Sequence, residues 1–164
     1  MSEHKATIRW ALADSRYSAD DFKRGKFSRE HQWSFDGGLS FAGSAAPSVV
    51  PAPYSNPANV DPEEAFVASL SSCHMLTFLF VASRKGFAIE SYEDEAVGSL
   101  SKKEANISWI SRVELRPRIV FAGERQPTPE ELAQLHHDAH KFCFIANSVT
   151  TEVVVAEPAT ALLA

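Results

Sequence analysis

DPEEAFVASLSSCHMLTFLFVASRKG, residues 61–86, is a long apolar stretch that carries its own start and stop signals. Asp61 stands at an N-cap, Pro62 at the first helical position, and Glu64 three residues after Asp61, where it completes a capping box. At the far end Arg84 and Lys85 suit the negative end of a helix dipole, and Gly86 can adopt the left-handed conformation that ends one. The stretch therefore predicts a single long helix. Its apolar side chains, from Ala65, Phe66 and Val67 through Leu70, Met75 and Leu76 to Phe80 and Val81, point in nearly every direction, so protein should enclose it on most sides. Ser69, Ser71, Ser72, His74 and Thr77 interrupt the run, and a core helix is expected rather than a membrane span.

Outward from this helix the chain reads as α+β. Ile8, Trp10 and Leu12 alternate with polar neighbours, as a half-buried strand requires. His31–Phe35, Asp36-Gly37-Gly38 and Leu39–Phe41 read as strand, turn and strand, a meander with the first strand. Pro47, Pro51, Pro53 and Pro57 rule out a helix between Gly43 and Val60 and predict a long structured loop. Beyond the helix, 88–100 and 107–115 predict an antiparallel pair about a polar turn at 101–106. Thr128-Pro129-Glu130-Glu131 repeats the capping signature and opens a second, amphipathic helix reaching Ala146, and 149–155 closes the chain as a strand.

The 164 residues, 45% of them apolar, suffice for one compact domain. A net charge of −5 without an extended Lys/Arg run argues against nucleic acid or an anionic membrane as partner. The first residues lack the pattern of a secretory signal, which places the expected site of action in the reducing cytoplasm and makes a permanent disulfide unexpected.

The chain has two cysteines, Cys73 inside the first helix and Cys143 near the end of the second. They are either thiols that join transiently or inert core residues. A thiol attacks only as thiolate, and Cys73 lies about three turns into its helix, beyond the reach of the dipole. A cation from another segment must activate it, with Arg24 and Arg29 as candidates. At a helix C-terminus Cys143 sits where the dipole opposes thiolate formation, which suits a cysteine recruited second. His136, His140 and Cys143 share one helical face at a spacing that could hold a metal, but ordinary exposed helix histidines are the expectation. His74, turned ~100° from Cys73 about the helix, is expected to meet a hydrogen-bond partner in the core.

Asn59-Val60-Asp61-Pro62-Glu63-Glu64-Ala65-Phe66 leading to Ser71-Ser72-Cys73-His74-Met75, together with Ala139-His140-Lys141-Phe142-Cys143, resembles the OsmC/Ohr family of osmotically inducible and organic-hydroperoxide-resistance proteins. The resemblance implies one OsmC-like domain over residues 1–164, α+β, with antiparallel sheets wrapped around two central helices. It further implies an intertwined homodimer with two sites at the subunit interface. The implied activity is that of a cysteine peroxidase without metal or flavin, reducing organic hydroperoxides and drawing on a thiol or dithiol reductant. By position Cys73 matches the reactive cysteine, Cys143 the resolving one, and Glu63 the acidic residue that holds an arginine over the sulfur. Arg29 is preferred over Arg24 as that arginine.

Two departures from the family pattern are visible, in Phe144-Ile145-Ala146 after the second cysteine and in a long 42–60 segment. Phe66, Met75, Phe78, Phe142 and Phe144 are candidate walls for an apolar substrate. Ten helical residues separate Glu63 from Cys73 by ~15 Å, so Glu63 reaches Cys73 only if the helix breaks or if it serves the partner's cysteine. The competing reading is a non-enzymatic protein that binds an apolar small molecule at the dimer interface.

Overall fold

A computed structural model of the chain describes residues 2–156, which form two compact units divided between Ala65 and Phe66. The first unit is an antiparallel sheet of β1 (Ala6–Arg9), β2 (His31–Phe35) and β3 (Ser40–Gly43), in the order β1-β2-β3. The expected meander is present, with Gly38 at φ +90 in its turn. The first strand ends earlier than its alternation suggests, because Leu12–Asp14 turns into a short 3-10 segment. The polar 20–30 segment contains a short helix, α1 (Ala19–Lys23), capped by Ser18 and Asp21 reciprocally. Gly43 is required at its position, since a Cβ there would lie 2.3 Å from the Trp33 indole nitrogen.

The proline-rich segment is the structured loop expected, held by polar contacts. Ser44 is buried and accepts the Asn56 amide at 2.9 Å. Glu30 accepts from Asn56 and Asn59 at 3.0 and 3.1 Å, which draws its carboxyl below the usual range. Asp61 and Glu64 then exchange the reciprocal cap bonds anticipated, Glu64 N–H to Asp61 at 2.8 Å and Asp61 N–H to Glu64 at 3.1 Å.

The helix they open, α2 (Pro62–Arg84), is the spine of the second unit. It ends as its sequence predicts: Gly86 takes φ +78, and Phe87 N–H returns to Ala82 O at 3.0 Å. Against it lie β4 (Ala88–Asp94), β5 (Val97–Lys102), β6 (Ser108–Leu115), β7 (Pro117–Ala122), α3 (Pro129–Phe142) and β8 (Glu152–Val155). β4 pairs antiparallel with β7, β5 antiparallel with β6, and β8 parallel with β6. The sequence patterns left β7 unassigned and joined β4 to β5 as one strand region. The second helix stops at Phe142, four residues short of the expected end, with Cys143 as its C-cap.

Leu70, His74, Phe78 and Val81 form one buried stripe along α2. Leu70 packs with Val113 and Leu115 over β6 and β8, while Phe78, Val81 and Ala82 pack with Phe87, Leu135 and Ala139 under α3. The expectation that protein encloses α2 on most sides fails within this chain. Leu76 and Phe80 are 60% and 66% exposed, because the sheets and α3 cover only the stripe. By length and mean hydropathy α2 could also cross a membrane.

Candidate functional site

The site is built where the two core clusters meet on α2. His74 is the polar member of the buried stripe, and Cys73 precedes it, half-buried. Cys143, 1% exposed, is delivered to the same place by the end of α3, whose Leu135 and Ala139 face the core at helical spacing. The two thiols are neighbours, close enough for Cys73 to perturb the Cys143 thiol. Both are free.

Their surroundings differ in kind. The Cys143 sulfur accepts the Ala146 N–H at 3.4 Å, and Asn147 closes the helix end by donating its side-chain amide to Cys143 O and Lys141 O, each at 2.9 Å. Burial pushes the Cys143 thiol up to about 11, reinforced by the neighbouring Cys73, with the Ala146 N–H acting the other way. Cys143 is therefore held as a neutral thiol at physiological pH. Phe142 and Phe144, on either side of it, are 57% and 83% exposed, so apolar surface flanks the thiol pair.

Glu63 and Cys73 lie on one unbroken helix, ~15 Å apart along its axis, so helix breakage does not bring them together. Glu64, not Glu63, makes the cap bonds, and Glu63 has no ion-pair partner among the described residues. Within the first unit the Arg29 guanidinium donates to Gly25 O and Phe27 O at 3.1 and 2.5 Å and lies 3.6 Å over the Phe27 ring. Arg24 is paired with Asp21 at 3.0 Å. Arg29 is thus fixed by backbone oxygens and an aromatic face, whereas Arg24 is already neutralised.

The sequence reading missed one constituent. His136 is not an ordinary exposed helix histidine: its Nδ1 lies 3.1 Å from His74 Nε2, and the two rings stack with centroids 5.4 Å apart. This is the core partner expected for His74. Burial pushes both rings down to about 4, so both are neutral at pH 7. Leu132, Leu135, His136, Ala139 and Cys143 share the inward face of α3, and that register was the signal available in the sequence. Phe78, a candidate substrate wall, is instead fully buried, 4.5 Å from the His136 ring centroid. Among the described residues no three His, Cys, Asp or Glu side chains converge as a metal site.

Two neighbouring thiols at the junction of a long spine helix and a second helix, beside antiparallel sheets, make a specific arrangement to compare with known proteins. A sequence model of the family described as OsmC-like protein matches residues 55–157, which includes both cysteines. The chain belongs to the OsmC-like protein family.

An OsmC-like protein of unknown function from Vibrio cholerae is 51% identical and superposes with a TM-score of 0.88, over 95% of this chain and 99% of that one. The fold is shared more distantly with organic hydroperoxide resistance proteins. That of Elizabethkingia anophelis is 20% identical, with a TM-score of 0.68 over 96% and 97% of the two chains. OhrB of Bacillus subtilis is 21% identical, with a TM-score of 0.62 over 94% and 96%. No functionally curated protein matches the chain. The α+β, OsmC-like architecture with antiparallel sheets read from the sequence is thereby the observed one.

Proposed function

We propose that this OsmC-like protein is a thiol-dependent peroxidase for organic hydroperoxides, and for hydrogen peroxide more weakly, in which Cys73 attacks and Cys143 resolves. The observation that carries the reading is the proximity of two free thiols of unlike character, one half-buried and the other buried and held neutral. Membership of a family whose fold is shared by two organic hydroperoxide resistance proteins supports it.

In the first step the Cys73 thiolate attacks the distal peroxide oxygen, the O–O bond breaks, and the alkoxide leaves as alcohol after taking a proton. Cys73 becomes a sulfenic acid. In the second step the Cys143 sulfur displaces that hydroxyl, forming the S–S bond and releasing water with the thiol proton. An external thiol or dithiol returns both cysteines to the reduced state, which fits a protein working in the cytoplasm. In this reading Arg29, held in place by Glu63, stabilises charge on the breaking O–O bond. A homodimer fits the uncovered face of α2 around Leu76 and Phe80, and lets Glu63 serve the partner's Cys73.

The test is a thiol count and intact mass after one equivalent of cumene hydroperoxide. Both thiols should be lost in the wild type, neither by disulfide formation in Cys73→Ser, and a sulfenic acid should form in Cys143→Ser. Thiols that survive the oxidant would overturn the peroxidase reading and favour binding of an apolar molecule against Phe142 and Phe144.

A further inference from the structure

The proposed thiol chemistry does not use a histidine pair in the second unit, buried His74 and half-buried His136. His74 is 1% exposed, immediately follows Cys73, and its ring meets His136, which stands two turns before Cys143 on α3. The pair thus joins the two cysteine-bearing helices beside the thiols. Phe78 supports it, with its ring centroid 6.5 Å from His74 and 4.5 Å from His136. Elsewhere Leu135 and Ala139 pack on Phe78, Val81 and Ala82, an apolar and non-directional contact, and Lys85, just past the end of α2, pairs with Asp138 of α3 at 2.8 Å on the exposed side, away from the thiols. The imidazole hydrogen bond, at 3.1 Å, is directional.

Direction matters because a disulfide forms only over a narrow range of Cβ separations and torsions. Cys143 sits at the very end of a helix of 14 residues, where slight rocking of α3 carries its sulfur off Cys73. We propose that His74 and His136 are positioning residues for the disulfide-forming step, their hydrogen bond fixing α3 on α2 so that the Cys143 thiol stays on Cys73. Neither ring has a hydrogen bond to a cysteine sulfur among the described residues. This inference rests on the two-thiol reading above, yet can fail separately from it.

The decisive comparison sets His136→Phe, which keeps an aromatic ring on Phe78 but loses the nitrogen, beside His136→Asn, whose amide restores a polar group near the Nδ1 position. Two reactions are timed by rapid quench and intact mass. In one, cumene hydroperoxide oxidises Cys73 in a Cys143→Ser background, and then closes the disulfide in the intact pair. In the other, the reduced protein and oxidised glutathione give the Cys73–Cys143 disulfide and two reduced glutathiones, a reaction that needs no peroxidase activity.

Loss of one buried hydrogen bond predicts disulfide closure slowed about tenfold in His136→Phe, with His136→Asn within about threefold of wild type. The first oxidation of Cys73 should not change. Closure at the wild-type rate in a cooperatively melting His136→Phe overturns the proposal. So does equal slowing in Phe and Asn, which would assign His136 to packing alone. Should His136→Phe show no cooperative melt, His136→Leu is read against Asn in the same way. A wild type inert to cumene hydroperoxide but ordered as expected in glutathione would remove the peroxidase reading and leave the positioning role standing. The converse pattern would do the reverse.

Discussion

The Cys143 sulfur accepts a hydrogen bond from the Ala146 backbone N–H at 3.4 Å, yet the thiol is pushed up to about 11. One weak donor does not offset desolvation at a site 1% exposed. In this protein the end of α3 holds a neutral thiol rather than a thiolate.

Alkylation kinetics check that statement directly. In Cys73→Ser, iodoacetamide should label Cys143 slowly at pH 8, with a rate that climbs toward a midpoint well above 9, since burial, the first cause of the shift, survives the substitution. A midpoint near 8.5, the value for an exposed cysteine, would sink the assignment.

The paired imidazoles predict acid sensitivity. His74 and His136 are held down to about 4 in the folded protein, against 6.5 for a free ring. For His74 the causes after burial are the neighbouring His136 and His140 charges, opposed by Asp94. Between those values the unfolded chain binds more protons than the native one, so stability rises with pH across the window. It is complete above about 6.5 and is lost as pH falls toward 4. At about 1.4 kcal/mol per pKa unit, each ring accounts for at most roughly 3.5 kcal/mol, and half-buried His136 for less. Urea midpoints from pH 7.5 to 4.5 should fall in the wild type and flatten in His74→Leu. Parallel curves would remove the histidines as the cause.

Close approach of α2 to β5 gives a third expectation. A Cβ at Gly98 would lie 2.6 Å from Val67 Cγ2, and the β-branched Val67 has little freedom to swing aside. Gly98→Ala should therefore destabilise by about 1–3 kcal/mol in denaturant unfolding. Val67→Ala in the same chain should recover part of the loss. If Gly98→Ala unfolds at the wild-type midpoint, the helix and strand are farther apart than described.

These relationships were unequally legible in the residues. The bounds of α2 follow from Asp61, Pro62, Glu64 and Gly86 because caps are local, chemically specific signals. β7 was not, since Pro117 opens it directly after β6 and reads as a turn, and only its pairing with β4 identifies it. The parallel seat of β8 on β6 is likewise non-local. At the site the cysteines could be named from sequence, but their proximity depends on how α3 crosses α2. The role of His136 was hidden because a histidine on an amphipathic helix becomes structural only when a particular partner, here His74, faces it. The exposed faces of Leu76 and Phe80 could not be separated from the buried stripe, because α2 is apolar all round and what covers each side is decided by other segments.

Continuity of α2 makes the fourth prediction. Since Pro62–Arg84 is one helix, a carboxylate at position 63 and a sulfur at 73 of the same chain stand ~15 Å apart, about three times the reach of a glutamate side chain. A Glu63 that supports Cys73 chemistry must then act across a two-fold interface. Mixed dimers carrying Glu63→Ala in one subunit and Cys73→Ser in the other discriminate. If Glu63 serves the partner's cysteine, the subunit that keeps Cys73 meets the intact Glu63 of the other, and one full site remains. Peroxide consumption should then run at about half the wild-type rate per dimer, as one site of two requires. If Glu63 acted within its own chain, the subunit with Cys73 would lack Glu63 and the other would lack the thiol. Activity per dimer would drop to about half that of the Glu63→Ala homodimer, and the shared-site arrangement would be excluded.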